Sequence, residues 1–397
     1  MSLSTREVFP AYHSNNTTEF HFPSGVKLSN VRLIGVGCTK VLEGNPDPAQ
    51  DTENPGYSYI KPLGVGGLIR RIVLYDGQTV LQEVSNASFV YGFNSFLQSK
   101  GRDNGLDWLY SHLDGSSHGM FVNDEKIYDV LSDSTITSDE LTTFKGHLQL
   151  SRFFSLLKSI GVLDTGVFQS LRLLIEWESN VNKFVSGLCT TFVLDDILAP
   201  TMIYDETSAD MPTTVVFGNF ESETLTLRSG AAGDVADTDV LLQTATGKFL
   251  NRVLISVVPN ITNADPNDEY KQMISHALNN ESFNLYVNSL PLVPWTGIDN
   301  DARKSSYLSQ AWGNFNFPFG SQCVFSATID DSYFDGAAHV VSNLSFGGVS
   351  VNKRIDTLQL KHHYTVDVAN LIYSLTVYHE IAKVLTVDKG AYNVLYV

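Results

Sequence analysis

The chain has 397 residues, of which 43% are hydrophobic, 17% charged and 11% aromatic, and its formal net charge is −17. A chain of this length is expected to form two domains of roughly 200 residues each. The acidic balance argues against a nucleic-acid-binding face as the main function, because binding to a phosphate backbone needs clustered lysine and arginine. The low charged fraction, together with abundant Thr, Val, Phe and Tyr, favours sheets over helices.

The three cysteines, Cys38, Cys189 and Cys323, are widely spaced and form no C-x-x-C pair. We therefore expect buried free thiols rather than a zinc site or a disulfide framework. The first sixteen residues lack the apolar segment of a signal peptide, and no run of 18 apolar residues occurs. The chain is expected to be cytosolic when it is made.

The N-terminal part begins with a polar, irregular arm at residues 1–17. Alternation of apolar and polar residues predicts a strand at Thr18–Phe22, and a longer strand is predicted at Lys27–Leu42. Gly35 and Gly37 in the longer strand indicate a bulge.

A hairpin and a helix follow as one unit. Ile69–Tyr75 is rich in β-branched and aromatic residues, Asp76-Gly77 is a strong hairpin signal, and Thr79–Leu81 returns the chain. The Asp-Gly pair predicts a type I′ turn, which needs positive φ at both central residues. Asn86 or Ser88 can cap the helix. Its large apolar residues recur at helical spacing, at Phe89, Phe93, Phe96 and Leu97.

A long excursion from Gly101 to Ile136 and several further strands complete the first half. Arg152–Ile160 is apolar and of ambiguous type. Asp195–Thr213, with two prolines and several acids, is the best candidate for a domain boundary. Strands of the first half are predicted at Gly146–Leu150, Leu171–Trp177 and Leu188–Leu194.

The strand pattern then restarts. Arg228–Asp239 is interpreted as a small-residue loop, Asn288-Ser289 as a hairpin turn, and Arg303–Trp312 as a short helix. The predicted strands are Thr214–Phe217, Thr224–Leu227, Phe249–Val258, Phe283–Val287, Leu290–Val293, Gln322–Thr328, His339–Phe346, Thr357–Tyr364, Leu371–His379, Ala382–Val387 and Tyr392–Val397.

With about eight strand candidates in each half, the pattern is typical of two β-sandwiches, for which eight-stranded jelly rolls are the natural form. The fold class is therefore predicted as all-β, with two antiparallel jelly rolls in tandem and short helices in the loops. We place the first at residues 1–208, including the arm, and the second at 209–397.

Combinations of residues that could carry chemistry are weak in this sequence. His379-Glu380 resembles the start of H-E-x-x-H, but Lys383 stands where the second metal ligand belongs, so we interpret the pair as strand residues facing solvent. His362 and His363 should point to opposite faces of a strand.

Three other groups were weighed and are interpreted as structural. Gly64, Gly66 and Gly67 are not followed by the G-K-[ST] of a phosphate loop. A loop metal site from His112, Asp114 and His118 is less expected than a plain polar loop. Asp330, Asp331 and Asp335 could hold calcium at a subunit contact but lack the EF-hand pattern. We predict no catalytic, cofactor-binding or metal-binding residues and no cofactor.

The order of features resembles the double jelly-roll major capsid proteins of tailless icosahedral double-stranded DNA viruses, the adenovirus hexon-like lineage. The passages that carry the resemblance are Phe20–Leu33 (FHFPSGVKLSNVRL), Leu68–Glu83 (LIRRIVLYDGQTVLQE), Phe153–Glu178 with its closing LRLLIEWE, Leu285–Trp295 (LYVNSLPLVPW), and the helix before Trp312. The long insertions of hexon are absent.

This resemblance implies a structural shell subunit in the virion capsid, assembled inside the host cell, with no enzymatic activity. The implied partners are two further copies in a homotrimer, neighbouring capsomers and minor capsid proteins. Contact with an internal membrane layer would be indirect, and no sequence-specific nucleic-acid binding is implied. We expect the Trp108–Phe121 excursion at a trimer contact or on the outer surface. We also expect the N-terminal arm and Tyr392–Val397 to be held by neighbouring chains.

Two alternatives remain open. A carbohydrate-binding or carbohydrate-active β-sandwich would suit the acids and tryptophans, but it would need two carboxylates across a cleft. A minor capsid or spike protein built on a jelly roll is the other. Two similar jelly rolls in one chain would favour the major capsid reading over both.

Overall fold

The fold was analysed in a computed structural model. It describes residues 4–42, 59–60, 64–91, 143–179, 185–186, 192–228, 230–259, 279–293, 297, 299, 307, 347–366, 372–388 and 390–397. Most of these residues lie in antiparallel strands, and no helix among them is long and apolar enough to cross a membrane.

The chain divides into two compact units. The first contains Met1–Val215, Ala264–Gln272 and Leu385–Asn393, and the second contains Val216–Asn263, Met273–Val384 and Val394–Val397. The C-terminal part of the chain therefore contributes to both units. The predicted boundary between residues 208 and 209 stays a prediction.

Thirteen strands lie before residue 207 in the described part of the chain: β1 Ser4–Val8, β2 Tyr12–His13, β3 Thr17–His21, β4 Lys27–Leu42, β5 Tyr59–Ile60, β6 Ile69–Asp76, β7 Thr79–Ser85, β8 Thr143–Gln149, β9 Leu163–Asp164, β10 Leu171–Trp177, β11 Val185–Ser186, β12 Phe192–Ile197 and β13 Thr201–Glu206. Short helical segments occupy Gly64–Leu68, 87–91, Leu150–Arg152, Ser155–Ile160 and Thr165–Val167.

Nine described strands follow: β14 Thr214–Thr226, β15 Val235–Leu242, β16 Phe249–Pro259, β17 Asn279–Val287, β18 Leu290–Pro291, β19 Gly347–Arg354, β20 Leu358–Thr365, β21 Tyr373–Asp388 and β22 Ala391–Tyr396.

Four large sheets organise these strands. Sheet A has the order β1-β13-β4-β12, with β8 and β9 also paired to β4, and sheet B has the order β2-β3-β10-β6-β7. Sheet C has the order β14-β21-β16-β19, with β22 paired to β21, and sheet D has the order β15-β20-β17-β18. Most neighbours in a sheet are distant in sequence, as the crossing connections of a jelly roll require.

Buried apolar side chains line one face of the strands in all four sheets. In β10, the alternation of LRLLIEW places every second residue in the interior, the pattern of a strand with one buried face. Residues of sheets C and D share one continuous hydrophobic cluster that includes Val253, Leu285, Leu360 and Val377. The predicted all-β architecture of two antiparallel jelly-roll sandwiches is confirmed.

The central hairpin is confirmed, but its turn type is not the one predicted. Asp76 pairs with Thr79, so Gly77 and Gln78 are the two turn residues. Gly77 has φ of 58°, whereas Gln78 is not among the residues with positive φ. This pattern is that of a type II′ turn, which places glycine at its first central position. The predicted type I′ turn centred on Asp76-Gly77 is therefore wrong in type, and the turn lies one residue later in the chain.

One expectation for the first half is corrected: the arm at residues 1–17 is not irregular, because it contains β1 and β2. The Asp195–Thr213 segment holds β13 and the end of β12, and its assignment as a domain boundary stays a prediction. Arg152–Ile160, whose type the sequence leaves ambiguous, contains a short helix at Ser155–Ile160. The predicted bulge in β4 is confirmed by the register shift between Ile34 and Val36, with Gly35 at φ of 68°.

In the second half, the predicted strands were too short. Thr214–Thr226 is one strand rather than two, and Tyr373–Asp388 is likewise continuous. Polar residues within these strands suggest breaks in the sequence, but pairing keeps both strands continuous: β21 lies between β14 and β16, and β14 is paired along β21. The loop assigned to Arg228–Asp239 is wrong in its second part, because β15 begins at Val235.

Several predicted features lie outside the described residues. They include the Trp108–Phe121 excursion, the loop containing His112, Asp114 and His118, and the acidic cluster at Asp330, Asp331 and Asp335. The predicted strands Gln322–Thr328 and His339–Phe346 also lie there, as does the predicted helix Arg303–Trp312 except for Tyr307.

Gly66 has a packing role. A Cβ atom at this position would lie 2.5 Å from the ring of Tyr91, a buried residue that stacks on Phe153 with ring centroids 4.9 Å apart. The glycine is therefore needed for the close approach of a backbone to an aromatic ring, consistent with its interpretation as structural.

We predict that Gly77→Val lowers stability by about 1–3 kcal/mol, because a β-branched residue resists positive φ. No atom beyond the chain neighbours lies within 4 Å of a Cβ placed at this position, so the cost would come from the backbone alone. Thermal unfolding measures the loss. Gln78→Val at the neighbouring turn position is the matched control, and equal stability of the two variants would contradict the turn assignment.

Candidate functional site

The His379-Glu380 pair lies in the middle of β21, where every residue from Leu375 to Lys383 is buried. The assignment of these two residues to a strand is correct, but the expectation that they face solvent is wrong. Alternation of apolar and polar residues predicts that one face of an antiparallel strand is exposed to solvent. Here both faces of the strand are covered, so its polar residues need partners inside the protein.

Glu380 meets that requirement through Arg252 of β16. The Arg252 Nε atom donates a charge-assisted hydrogen bond to Glu380 Oε2. Gly218 of β14 leaves the space for this carboxylate, since a Cβ at that position would overlap it. Removing either charge would leave the other buried and uncompensated, which is strongly destabilising. The pair has the features of a structural ion pair.

Glu223 of β14 connects His379 to a tight turn. Its carboxylate accepts the backbone N–H groups of Gln243 and Thr244 at 3.0–3.1 Å. His379 Nε2 lies 3.5 Å from Glu223 Oε2, an ion-pair distance rather than that of a short hydrogen bond. The contact with His379 and the two backbone donors lower the pKa of Glu223 to about 2, against the opposing effect of burial.

His362 and His363 point to opposite faces of β20, as alternation requires. His363 is exposed and lies 2.7 Å from Asp237 of β15. His362 is buried and its Nε2 lies 2.8 Å from Glu281 of β17, which is also buried. The His362 ring is stacked on Phe283, with centroids 4.6 Å apart. The two histidines therefore serve different faces of the sheet and cannot share one ligand.

Asp76, at the end of β6, is a bonding centre that the sequence did not reveal. Its buried carboxylate accepts the backbone N–H groups of Gln169 at 3.0 Å and Ser170 at 2.5 Å. It also accepts the hydroxyl of Tyr392 at 2.9 Å. The Tyr392 ring packs against Phe168, with centroids 4.9 Å apart. Burial and the bond to Asp76 raise the pKa of Tyr392 to about 12.

The C-terminal residues are held by their own chain. Two ammonium groups contact the Tyr396 ring, with Lys248 Nζ at 4.4 Å and Lys383 Nζ at 4.5 Å from its centroid. Its hydroxyl donates to Glu221 at 2.7 Å. The backbone N–H of Val397 donates to Ala382 O at 3.1 Å. These contacts hold Tyr396 and Val397 within the chain, and the expectation that neighbouring chains also hold Tyr392–Val397 stays a prediction.

The outer face of sheet D is polar and exposed. Asp239 of β15 lies 3.7 Å from Lys361 of β20 and accepts from Gln359 at 2.5 Å. Exposed cross-strand pairs of this kind contribute little to stability. The face is the wetted side of an antiparallel sheet.

Large apolar side chains are also exposed, in several separate places. Such residues are common on protein surfaces and are informative only where they cluster. They are Phe9, Tyr12, Val80, Val216, Val235, Leu241, Leu290, Ile372, Leu395, Tyr396 and Val397.

The charged groups described above form pairs across strands rather than an open constellation. Among the described residues, no three His, Cys, Asp or Glu side chains are grouped so that they could hold a metal ion. The two candidate loop sites lie outside those residues, so the predicted absence of site residues stays a prediction. What the observed arrangement can do is fix strand register and present large sheet surfaces.

Comparison with known proteins gives matches at the level of structure. No protein-family model and no curated protein sequence matches the chain. A chain in the cryo-EM structure of the Sputnik virophage is similar over 100% of this chain and 88% of its own length, with 11% identity and a TM-score of 0.63. The mavirus major capsid protein is similar over 99% and 90%, with 10% identity and a TM-score of 0.59.

The Faustovirus major capsid protein matches over 98% of this chain and 90% of its own, with 8% identity and a TM-score of 0.54. At identities this low, the structural match establishes the shared fold alone. The chain has the double jelly-roll fold of viral major capsid proteins, as the sequence resemblance implied.

We predict that Glu223 makes stability depend on pH in the acid range. Its pKa is about 2 in the folded protein and 4.5 as its ordinary value, so its contribution is present above pH 4.5 and is lost as the pH falls towards 2. We expect a loss of about 2 kcal/mol, discounted for partial exposure. Urea unfolding at a series of pH values measures it.

Glu223→Gln should flatten this part of the stability profile and lower stability near neutral pH. The exposed Glu7→Gln serves as the matched control. Identical acid profiles for the Glu223 variant and the parent protein would show that the carboxylate is not the group responsible.

Tyr392→Phe should cost about 1–2 kcal/mol, because it removes a hydrogen bond to a buried carboxylate while keeping the ring contact with Phe168. Tyr396→Phe is the comparison, since it also loses a bond to a carboxylate but at a more exposed position. Urea denaturation at neutral pH gives both values. If Tyr396→Phe cost more than Tyr392→Phe, the importance assigned to the Asp76 centre would be contradicted.

Proposed function

We propose that this chain is a viral major capsid protein whose homotrimers tile an icosahedral shell. The observation that carries the proposal is the fold match over nearly the whole chain. The mavirus and Faustovirus major capsid proteins are each covered to 90% of their own length. A match to one sandwich alone would have left the other half free for a different function.

The geometry of two jelly rolls suits a shell. Three copies of a chain with two similar blocks give six similar blocks around one axis, and such a pseudo-hexagon tiles a flat facet. Closed symmetry of this kind is the rule for homo-oligomers. Stable subunit contacts commonly bury 2,000 Å² or more in obligate assemblies. The scattered exposed apolar residues of this chain would contribute to such contacts.

The charges of the chain support a shell role without direct genome binding. The net charge of −17 opposes contact with a phosphate backbone. We propose that the partners are other copies, neighbouring capsomers and minor capsid proteins, that any contact with a membrane layer inside the virion is indirect, and that the protein resides in the virion.

We further propose that the chain performs no catalytic step. His379 and Glu380, the nearest approach to a catalytic motif, are engaged with Glu223 and Arg252 inside the sheet. Such use of paired charges is structural rather than catalytic. The alternative of a carbohydrate-active β-sandwich needs two carboxylates across a cleft, and none of the acidic residues described above forms such a pair.

The proposal predicts a stable trimer. The mass in solution, measured by size-exclusion chromatography with light scattering, should be three times 43.8 kDa. Electron microscopy of concentrated protein should show hexagonal arrays, and elemental analysis should find no stoichiometric metal. Circular dichroism on the same sample separates failed assembly from failed folding. A folded, monodisperse monomer that forms no arrays would contradict the proposal.

A further inference from the structure

The N-terminal strand β1 is attached to sheet A without burying an apolar side chain. Ser4 to Glu7 are exposed, and Val8 is only half-buried. The strand lies at the edge of the sheet and pairs with β13 in a continuous register from Ser4–Glu206 to Val8–Met202. Its attachment therefore depends on backbone hydrogen bonds and on polar side chains.

The side-chain contacts of β1 are weak ones. Ser4 Oγ donates to Glu206 at 2.8 Å, Thr5 Oγ1 donates to Asp205 at 3.0 Å, and Arg6 Nε donates to Glu206 at 3.2 Å. The two contacts with Glu206 are exposed and contribute little net stability. The bond from Thr5 to the buried Asp205 is partly shielded and is the strongest side-chain contact of the strand. A strand with few buried contacts opens at low free-energy cost.

Three of the other edge strands, β7, β14 and β15, are anchored by buried apolar side chains, whereas the short strands β2 and β18 bury none. β7 buries Leu81 and Val84, β14 buries Phe217, and β15 buries Ala236 and Leu242. Those strands cannot leave their sheets without exposing apolar surface. β1 differs from these strands because it buries no apolar side chain whose exposure would oppose its release.

A short hinge follows β1. The chain is fixed again at Ala11, whose N–H donates to Glu19 O at 2.8 Å. Between these points lie Phe9 and Pro10, and Pro10 has no N–H to donate. Phe9 is 70% exposed, and Tyr12, just after the hinge, is 57% exposed. Two aromatic residues thus lie uncovered beside the short connection between β1 and β2.

We propose that β1 is exchanged between copies, so that in the assembled trimer the β1 strand of one copy pairs with the β13 edge of a second copy. This inference rests on the proposed function, because it places the exchange in the trimer. Pairing between copies reproduces every backbone and side-chain contact that β1 makes within its own chain, which makes exchange a low-cost link. The assembly also offers cover for Phe9 and Tyr12.

Exchange also keeps the sheet edge protected. An open β13 edge would present unpaired N–H and C=O groups, a template for uncontrolled association. In the exchanged trimer each β13 is paired by the strand of a neighbour. The high effective concentration of strands within a trimer favours this pairing over pairing with free chains.

The test is an inter-chain disulfide in the full-length protein. One chain carries Ser4→Cys, a second carries Glu206→Cys, and the two are co-expressed and oxidised. Positions 4 and 206 are register partners at exposed sites, within reach of a disulfide. No chain carries both substitutions, so a linkage between these positions must join two copies. Mass spectrometry of the linked peptide distinguishes it from reactions of the three native cysteines.

The matched control is a second exposed register pair at an anchored edge strand, Asp237→Cys and His363→Cys on separate chains. We expect the 4–206 linkage in the trimer fraction to exceed the control linkage about tenfold or more. A single chain carrying Ser4→Cys and Glu206→Cys verifies that the geometry permits the bond.

Trimers in which only the doubly substituted single chain becomes linked would overturn the exchange and leave the capsomer proposal standing. A protein that remains monomeric would overturn the proposed function, and the exchange with it.

Discussion

The structure depends on a strand that is buried on both faces. β21 runs through the middle of sheet C, and its residues from Leu375 to Lys383 are all shielded from solvent. A polar group in such a place costs several kcal/mol unless it is bonded. Arg252 therefore pairs with Glu380, and Gly218 leaves room for that carboxylate. These residues fix the register of the adjacent strands β14, β21 and β16, since a one-residue slip would turn each charge towards the apolar core.

The two ends of the chain are attached in opposite ways. At the C-terminal end, Tyr392 and Tyr396 each combine a ring contact with a hydrogen bond to a carboxylate, so β22 is held by side chains as well as by backbone. At the N-terminal end, β1 has only an exposed ladder and polar pairs. In the proposed capsomer, the firmly held terminus would maintain the sandwich, and the loosely held one would pair with a neighbouring copy.

The carboxylates of Asp76 and Glu223 show how tertiary contacts assign roles that sequence spacing does not reveal. Asp76 was interpreted as a turn residue, yet its carboxylate joins the hairpin to Gln169, Ser170 and Tyr392. Glu223 is one of several acids in a polar part of β14, yet it binds a turn about twenty residues later in the chain. The partners are separated by long stretches of sequence. No local pattern marks them, and only the closing of the sandwich brings them together.

The sequence by itself determined the features that depend on neighbouring residues in the chain, namely turns and the buried faces of short strands. Alternation in LRLLIEW specified a strand with one buried face, Gly77 specified a tight turn, and Asn288-Ser289 specified a hairpin turn, at which the structure places both residues at positive φ. The serial repetition of such units was enough to indicate two jelly rolls and the resemblance to capsid proteins. The tertiary structure decided which strands continue through polar residues, as at β14 and β21, and which side of each strand meets water. It decided these because strand length and burial depend on neighbours that lie far apart in the chain, and their pairing is worth more than the local preference of any one residue.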